Sequence, residues 1–418
     1  MLDFQTLMAE YAHCPCGQTH TCTIRDIVVE HGAVHHVGDI LKKNAFPHRL
    51  LLLADKTTLH AANGITEALE GFQVSYYIYD TLRVSRMSDV RLVEACIDAR
   101  AEAVLAVGTG SLHDTARLAC ARKDVPLCLF ATAPSMDGFA SYGAPIVDGN
   151  FKLTYPAKSP EVIIADTAIL AQAPAILKSA GFGDMVAKYV GLIDWQVSHL
   201  VKGETYCEKI AGLTRYATDR VLSMADRITH CDEESAAAVF EGLLLTGIAM
   251  SFAKTSRPAS GTEHILAHFI ECMELLEDKI PNYHGLDVGV ATLLVLRYYR
   301  ELATLKHPRF RKENVDWEDV YAAYGPLAED IRRLNADSTA TDGVDPAFCE
   351  ANWERIVAII QSVPDAEEIA AAMKQAGCPL TAAEIGKSPA LMEKAWVYHP
   401  YMRNRLSLRR LANMIVPE

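Results

Sequence analysis

The chain has 418 residues, half of them hydrophobic and 22% charged, with a net charge of −13. That length exceeds one ordinary hydrophobic core and predicts two domains, and the composition is that of a folded globular protein. The acidic balance excludes nucleic acid and anionic membrane as main partners, so an anionic ligand must be held by helix N-termini and a few placed cations.

The first residues, Met-Leu-Asp-Phe-Gln, carry no signal-peptide pattern, and the eleven cysteines are scattered, which together predict a reducing cytoplasm. Cys14, Cys16, His20 and Cys22 cluster near the start. They read either as a small structural zinc site or as buried thiols in an N-terminal hairpin, and the Cys-x-Cys spacing favours the thiols. From Ile24 to about Ile169, short apolar runs alternate with helical periods. Residues 49–54, 74–79, 103–107, 127–132 and 162–165 read as buried strands with helices between them. That rhythm predicts an α/β Rossmann-like domain over residues 1–170, with a parallel sheet covered on both faces. Residues 141–160 read as a hairpin excursion.

After the strand ending at Val107 comes Gly108-Thr109-Gly110-Ser111-Leu112-His113-Asp114-Thr115 and then a helix. Glycines allow a sharp turn and a close ligand approach, and the exposed N–H groups at a helix start can hold a pyrophosphate without net positive charge. The third glycine of a Rossmann fingerprint is missing, so a plain strand-to-helix turn is the competing reading. Asp55, ending an earlier strand, is placed to accept from an adenosine ribose. Thr132-Ala133-Pro134-Ser135-Met136-Asp137-Gly138 follows another strand at the carboxyl edge, where open α/β sheets bind ligands.

From about Ala171 no strand is predicted, and residues 171–418 form an all-α domain. Its helices are expected near residues 187–200, 208–228, 234–254, 262–277, 288–304, 351–361, 366–376 and 392–415. The apolar run 243–252 is too short to span a bilayer and reads as a buried helix. Residues 335–346 read as a polar loop. Residues 256–284 hold the densest chemistry. Ser260 and Glu263 are spaced as a capping box, and one turn later His264 and His268 share a helical face. Pro281 then breaks the chain before His284-Gly285. Two imidazoles and a carboxylate make an open site for a divalent metal, and exposed polar residues are the competing reading.

With Gly108–Asp114, Thr132-Ala-Pro-Ser-Met-Asp-Gly-Phe-Ala-Ser141, Gly181-Phe-Gly-Asp184, Arg257-Pro-Ala-Ser-Gly-Thr-Glu-His264 and His284-Gly285 together, the chain resembles the sn-glycerol-1-phosphate dehydrogenases of the bacterial, arabinose-operon-associated type. These belong to the dehydroquinate synthase-like superfamily, with glycerol dehydrogenase and iron-containing alcohol dehydrogenases. The resemblance spans nearly the whole chain. It implies that Asp184, His264 and His284 hold a divalent metal (zinc first, with nickel, iron or cobalt acceptable) and that His268 and Asp137 touch the substrate. It also implies that Gly110, Ser111, Leu112, His113, Asp114, Thr132, Ala133, Pro134, Ser135, Ser141 and Asp55 contact NAD or NADP. The implied reaction interconverts dihydroxyacetone phosphate and sn-glycerol 1-phosphate, in a homodimer or larger homo-oligomer without membrane insertion. For the substrate phosphate the candidate cations are Arg257, Lys188 and the Arg403-Asn404-Arg405 cluster. The rivals are a glycerol dehydrogenase, a lyase of the dehydroquinate synthase kind, and a binding protein that keeps NAD without turnover.

Overall fold

The computed structural model describes residues 4–417. Eight strands form: β1 (Asp26–Glu30), β2 (Arg49–Asp55), β3 (Gln73–Tyr79), β4 (Ala103–Gly108), β5 (Leu127–Ala131), β6 (Gly143–Asp148), β7 (Phe151–Pro156) and β8 (Val162–Asp166). Six of them make an all-parallel sheet in the order β1-β8-β5-β4-β2-β3. The inner strands are buried on both faces, which is why Leu50–Ala54 and Ala103–Val107 are unbroken apolar runs instead of alternating ones. From β2 the chain moves outward to β3, then returns to the far side of β2 for β4 and on to β5. The carboxyl ends of β2 and β4 therefore flank the topological switch point, the place where such sheets open a ligand crevice.

The helices are α1 (Phe4–Ala12), α2 (Val37–Lys43), α3 (Lys56–Ala61), α4 (Met87–Arg100), α5 (Gly110–Lys123), α6 (Thr167–Gln172), α7 (Ala175–Val186), α8 (Lys188–Lys202), α9 (Glu208–Leu222), α10 (Glu233–Ala253), α11 (Thr262–Leu276) and α12 (His284–Leu302). Beyond these come α13 (Trp317–Tyr324), α14 (Ala328–Leu334), α15 (Pro346–Ala351), α16 (Trp353–Gln361), α17 (Ala366–Gln375), α18 (Pro389–Tyr398) and α19 (Leu408–Leu411). Among the described residues no strand follows β8, as the sequence predicts. Phe4, Leu7 and Tyr11 of α1 join the apolar cluster of the helical half. Among the described residues α10 alone is long and apolar enough to cross a membrane, and 89% of its apolar window is buried inside the protein.

The expected hairpin is β6–β7, turned by Gly149 and Asn150, both at positive φ as a tight hairpin turn needs. It reaches across to the helical half, where Lys152 Nζ meets Glu271 Oε2 at 2.8 Å. Three expectations change. The helix expected at 208–228 ends at Leu222, and a separate short turn covers Ala225–Arg227. The helix expected at 351–361 begins at Trp353, and a separate short helix that the sequence does not predict, Pro346–Ala351, precedes it. The one expected at 392–415 is broken, because α18 runs into a turn at His399–Tyr401, and an irregular stretch from Met402 precedes Ser407, which caps α19. That break lets Arg403 and Arg405 enter the cavity described next.

Candidate active site and metal centre

The Gly-x-Gly-Asp motif lies inside α7, and His284 is the first residue of α12. Two glycines in a helix interior cost about 1 kcal/mol each relative to alanine. Here they are required by contact. A Cβ on Gly183 would lie 2.2 Å from Gly285 O, one on Gly285 would lie 1.8 Å from Ala180 O, and one on Gly181 would lie 1.9 Å from Pro134 O. The two helices therefore touch backbone to backbone, and this brings the elements carrying Asp184 and His284 together.

His264 comes from α11. The capping box does not form: the residue before the helix is Gly261, and Ser260 instead accepts from Arg405 Nη2 at 2.8 Å. The cap comes from another helix. Asp194 of α8 accepts from Thr262 N–H (2.7 Å), Thr262 Oγ1 (2.8 Å), Tyr299 OH (2.7 Å) and Leu408 N–H (2.8 Å). Glu263 keeps half of its expected role, accepting from Gly261 N–H at 2.9 Å, and the same Oε1 takes His264 Nδ1 at 2.6 Å.

With Nδ1 held by Glu263, His264 turns Nε2 to Asp184 Oδ1 at 3.3 Å. Two facing acceptor atoms in a buried setting need a positive charge between them, a proton in the bare protein or a cation in a loaded one. The His284 ring is centred 5.3 Å from that of His264 and 5.2 Å from that of His268. Its Nδ1 meets Glu271 Oε1 at 2.7 Å. Each imidazole thus has an outer carboxylate that orients it, the arrangement metal-binding histidines use. The ligand-type atoms gather in two adjoining groups, Asp137, Asp184 and His264 in one and His268, Glu271 and His284 in the other, so the structure joins Asp184 to His264 but not to His284. Carboxylate oxygens with imidazole nitrogens suit zinc, nickel or iron.

Asp184 is fully buried behind His264 and Asp137. Burial would raise its pKa, but Lys188, His264 and His284 hold it far below the ordinary carboxylate range. Burial likewise lowers His264, yet Asp184 and Glu263 carry it up to about 9. Burial and nearby Lys152 push His268 well below the usual imidazole value. Of the candidate phosphate cations, two are already committed. Lys188 Nζ is pinned between Asp137 Oδ2 (2.6 Å) and Asp184 Oδ1 (2.7 Å). Arg257 is buried against Glu204 (2.5 Å) and Leu406 O (2.7 Å). Asn404 turns away to Ser338. Arg403 and Arg405 line the cavity.

That cavity, of about 510 Å3, runs from the switch point of the sheet to the three imidazoles. Asp55, Gly110, Ser111, Leu112, Asp114, Ser135 and Ser141 line it together with Asp137, His264, His268 and His284, and Arg117 ties Asp114 and Ser141 to the loop of Asp137. Asp55 Oδ1 also accepts from Thr58 N–H at 2.8 Å. His113, Thr132, Ala133 and Pro134 are buried behind the wall and do not line it. The His113 ring packs edge-on against Phe139, 5.4 Å between centroids. Sequence reasoning missed Glu263 as an orienting group, Glu271, Lys152 and Arg117. The signal for Glu271 was present, since His264, His268 and Glu271 fall at i, i+4 and i+7 on one helical face. Arg117 left no such signal. It is buried, donates to Asp114 Oδ1 (2.9 Å), Gly138 O (2.6 Å) and Ser141 O (2.8 Å), and so shapes the loop that carries Asp137.

A sequence model of the iron-containing alcohol dehydrogenase family matches residues 28–174. A protein of Bacillus velezensis named glycerol-1-phosphate dehydrogenase, with NAD(P)+ in its name, is 32% identical over 390 residues, 91% of this chain and 89% of its own. One of the same name from Halalkalibacterium halodurans is 29% identical over 405 residues, 95% of this chain and 94% of its own. The crystal structure of an NADH-dependent butanol dehydrogenase from Thermotoga maritima shares the fold, with a TM-score of 0.63 at 15% identity over 97% of both chains.

Proposed function

The chain belongs to the glycerol-1-phosphate dehydrogenase family, and from that premise we propose that it interconverts dihydroxyacetone phosphate and sn-glycerol 1-phosphate by hydride transfer with NAD or NADP. The observation that carries this reading is one cavity lined by a glycine-rich turn and by His264, His268 and His284, with the Asp184 carboxylate 3.3 Å behind His264. Asp184, His264 and His284 would hold the metal. A bound divalent ion, zinc first and nickel or iron next, supplies Lewis acidity toward the substrate oxygen. The nicotinamide coenzyme carries the hydride.

The chain's own groups do the rest. The N–H groups at the start of α5, around Gly110 and Ser111, face the pyrophosphate, and Asp55 takes the ribose hydroxyls and disfavours a 2′-phosphate. Ser135, Ser141, Leu112 and Asp114 complete that wall, while His113, Thr132, Ala133 and Pro134 support it from behind. Asp137, oriented by Lys188, accepts from a substrate hydroxyl. His268 contacts the substrate and takes the alcohol proton at a ring nitrogen. Arg403 and Arg405, with Lys152 beside them, form the phosphate end. Arg405 is steadied by Ser256 Oγ at 2.9 Å and Ser260 Oγ at 2.8 Å, so its guanidinium is pre-ordered for a dianion.

The same proposal divides the chain into 1–170 and 171–418, with the strands in the first part, and assigns it to the cytoplasm, which suits eleven free cysteines. It also takes the assembly to be a homodimer or larger, which suits the edge position of β3 and the exposure of Tyr76. The deciding experiment is reduction of dihydroxyacetone phosphate with the product's chirality determined. The sn-1 enantiomer is expected; the sn-3 enantiomer, or turnover of glycerol but not of its phosphate, would overturn the reading.

A further inference from the structure

A second cluster of ligand-type side chains lies in the N-terminal segment, outside the cavity. Cys14 and Cys16 stand on a turn closed by Gly17 N–H on Cys14 O at 3.0 Å, with Gly17 at a φ of +81° that a side chain would strain. His20 follows, its N–H donating back to Tyr11 O at 3.3 Å. The fourth member, Cys207, comes from the residue before α9. Cys22, grouped with this cluster in the sequence, is not part of it, because its sulfur points to Met8 Sδ at 3.7 Å.

Cys14 Sγ lies 3.5 Å from Cys207 Sγ, Cys16 Sγ lies 3.2 Å from His20 Nε2, and Cys207 Sγ lies 3.6 Å from His20 Nε2. Tetrahedral zinc, with metal–sulfur bonds of about 2.3 Å and metal–nitrogen bonds of about 2.0 Å, spaces its ligand atoms about 3.5–3.8 Å apart. The cluster has edges close to that size. A disulfide needs about 2.05 Å between sulfurs, and all eleven cysteines are free. His20 Nδ1 meets Phe252 O at 3.1 Å, which fixes the ring and leaves Nε2 for the sulfurs. Cys14, His20 and Cys207 are buried beside Tyr11 and Phe252, while Cys16 is exposed and offers the route of entry.

We infer that Cys14, Cys16, His20 and Cys207 hold a second divalent ion, zinc by ligand type, which pins the N-terminal segment to α9 and α10. Three thiolates and one imidazole close the tetrahedron, so the ion is structural and has no position for substrate. The ligand set separates it from the cavity, where no thiolate is available.

The test uses the full-length protein loaded with cobalt(II), since sulfur-to-cobalt charge-transfer absorption reports cysteine ligands only. The wild type is expected to show that absorption with two cobalt ions per chain. His264→Ala is expected to keep the absorption with one ion, Cys14→Ser and Cys207→Ser to weaken it, and the double variant Cys14→Ser/Cys207→Ser to lose most of it. Cys22→Ser is expected to keep it. Absence of the absorption in loaded wild type, its persistence at full intensity in Cys207→Ser, or a Cys14–Cys207 disulfide in protein purified under reducing conditions would each overturn the assignment. If the serine variants do not fold, X-ray absorption on wild-type zinc protein decides the matter. A shell containing sulfur supports the site, and one of nitrogen and oxygen alone rejects it.

Discussion

Glu263 holds His264 Nδ1 at 2.6 Å and Glu271 holds His284 Nδ1 at 2.7 Å, so each ring is oriented by a carboxylate, and His264 turns its Nε2 toward Asp184. Replacing Glu263 or Glu271 with Gln removes the charge while keeping the shape. Metal affinity, measured by competition with a chelator, is expected to fall about 10–100-fold in each. His264→Ala is expected to abolish turnover while leaving circular dichroism and coenzyme affinity near wild type. Full activity of that variant after chelator treatment would refute its role as a ligand. At this scale the sequence was partly legible. The histidines stand out by spacing, and Asp184 enters only through resemblance. Glu204, the partner of Arg257, and Asp137, one partner of Lys188, lie on distant segments, so both looked like free cations.

Between α7 and α12 there is no room for a side chain, and the cost of adding one can be stated. Gly285→Ala puts a methyl 1.8 Å from Ala180 O, so the helices must part. Overpacking of this kind costs about 1–3 kcal/mol, and the variant is expected to lose metal together with that stability. Gly212, in the interior of α9, is the control, because a Cβ there meets nothing within 4 Å. Gly212→Ala is expected to be neutral or to stabilise by up to about 1 kcal/mol in urea unfolding. Equal effects at the two sites would remove the argument from close approach. The glycines also explain a blind spot, since α7 contains two weak helix formers and gave no helical signal. α11 starts at Thr262 as expected, but its cap does not come from Ser260: Asp194 is a long-range partner that no local pattern reveals.

Across the molecule, the alternation of apolar runs and helical periods made the parallel sheet legible, and the absence of strands after it made the helical half legible. The strand order and the cavity depend on which elements meet, and that is not written locally. Global stability carries its own signature of burial. Burial drives the pKa of His113 down to about 3, and that of His399 to about 3 as well. Both are depressed below the unfolded value of about 6.5, so between these limits the unfolded chain binds the extra proton. Their contribution is therefore fully present above about pH 6.5 and is lost as pH falls, at about 1.4 kcal/mol per pH unit for each ring. Urea unfolding at pH 6.5 and pH 5 measures this, and His113→Leu is expected to remove one proton's share of the slope. An unchanged slope would show that His113 is protonated in the native state.

The peptide-to-peptide crossing of α7 and α12 has one more implication. Its spacing is set by main-chain atoms, which no substitution can make smaller, so the scaffold that carries Asp184 and His284 has almost no adjustable dimension. A lineage that came to prefer a different ion would have to change the acidic groups behind the imidazoles and leave the crossing as it is. Glu263 and Glu271, which touch the imidazoles without forming part of the crossing, are therefore the positions at which to begin altering ion preference.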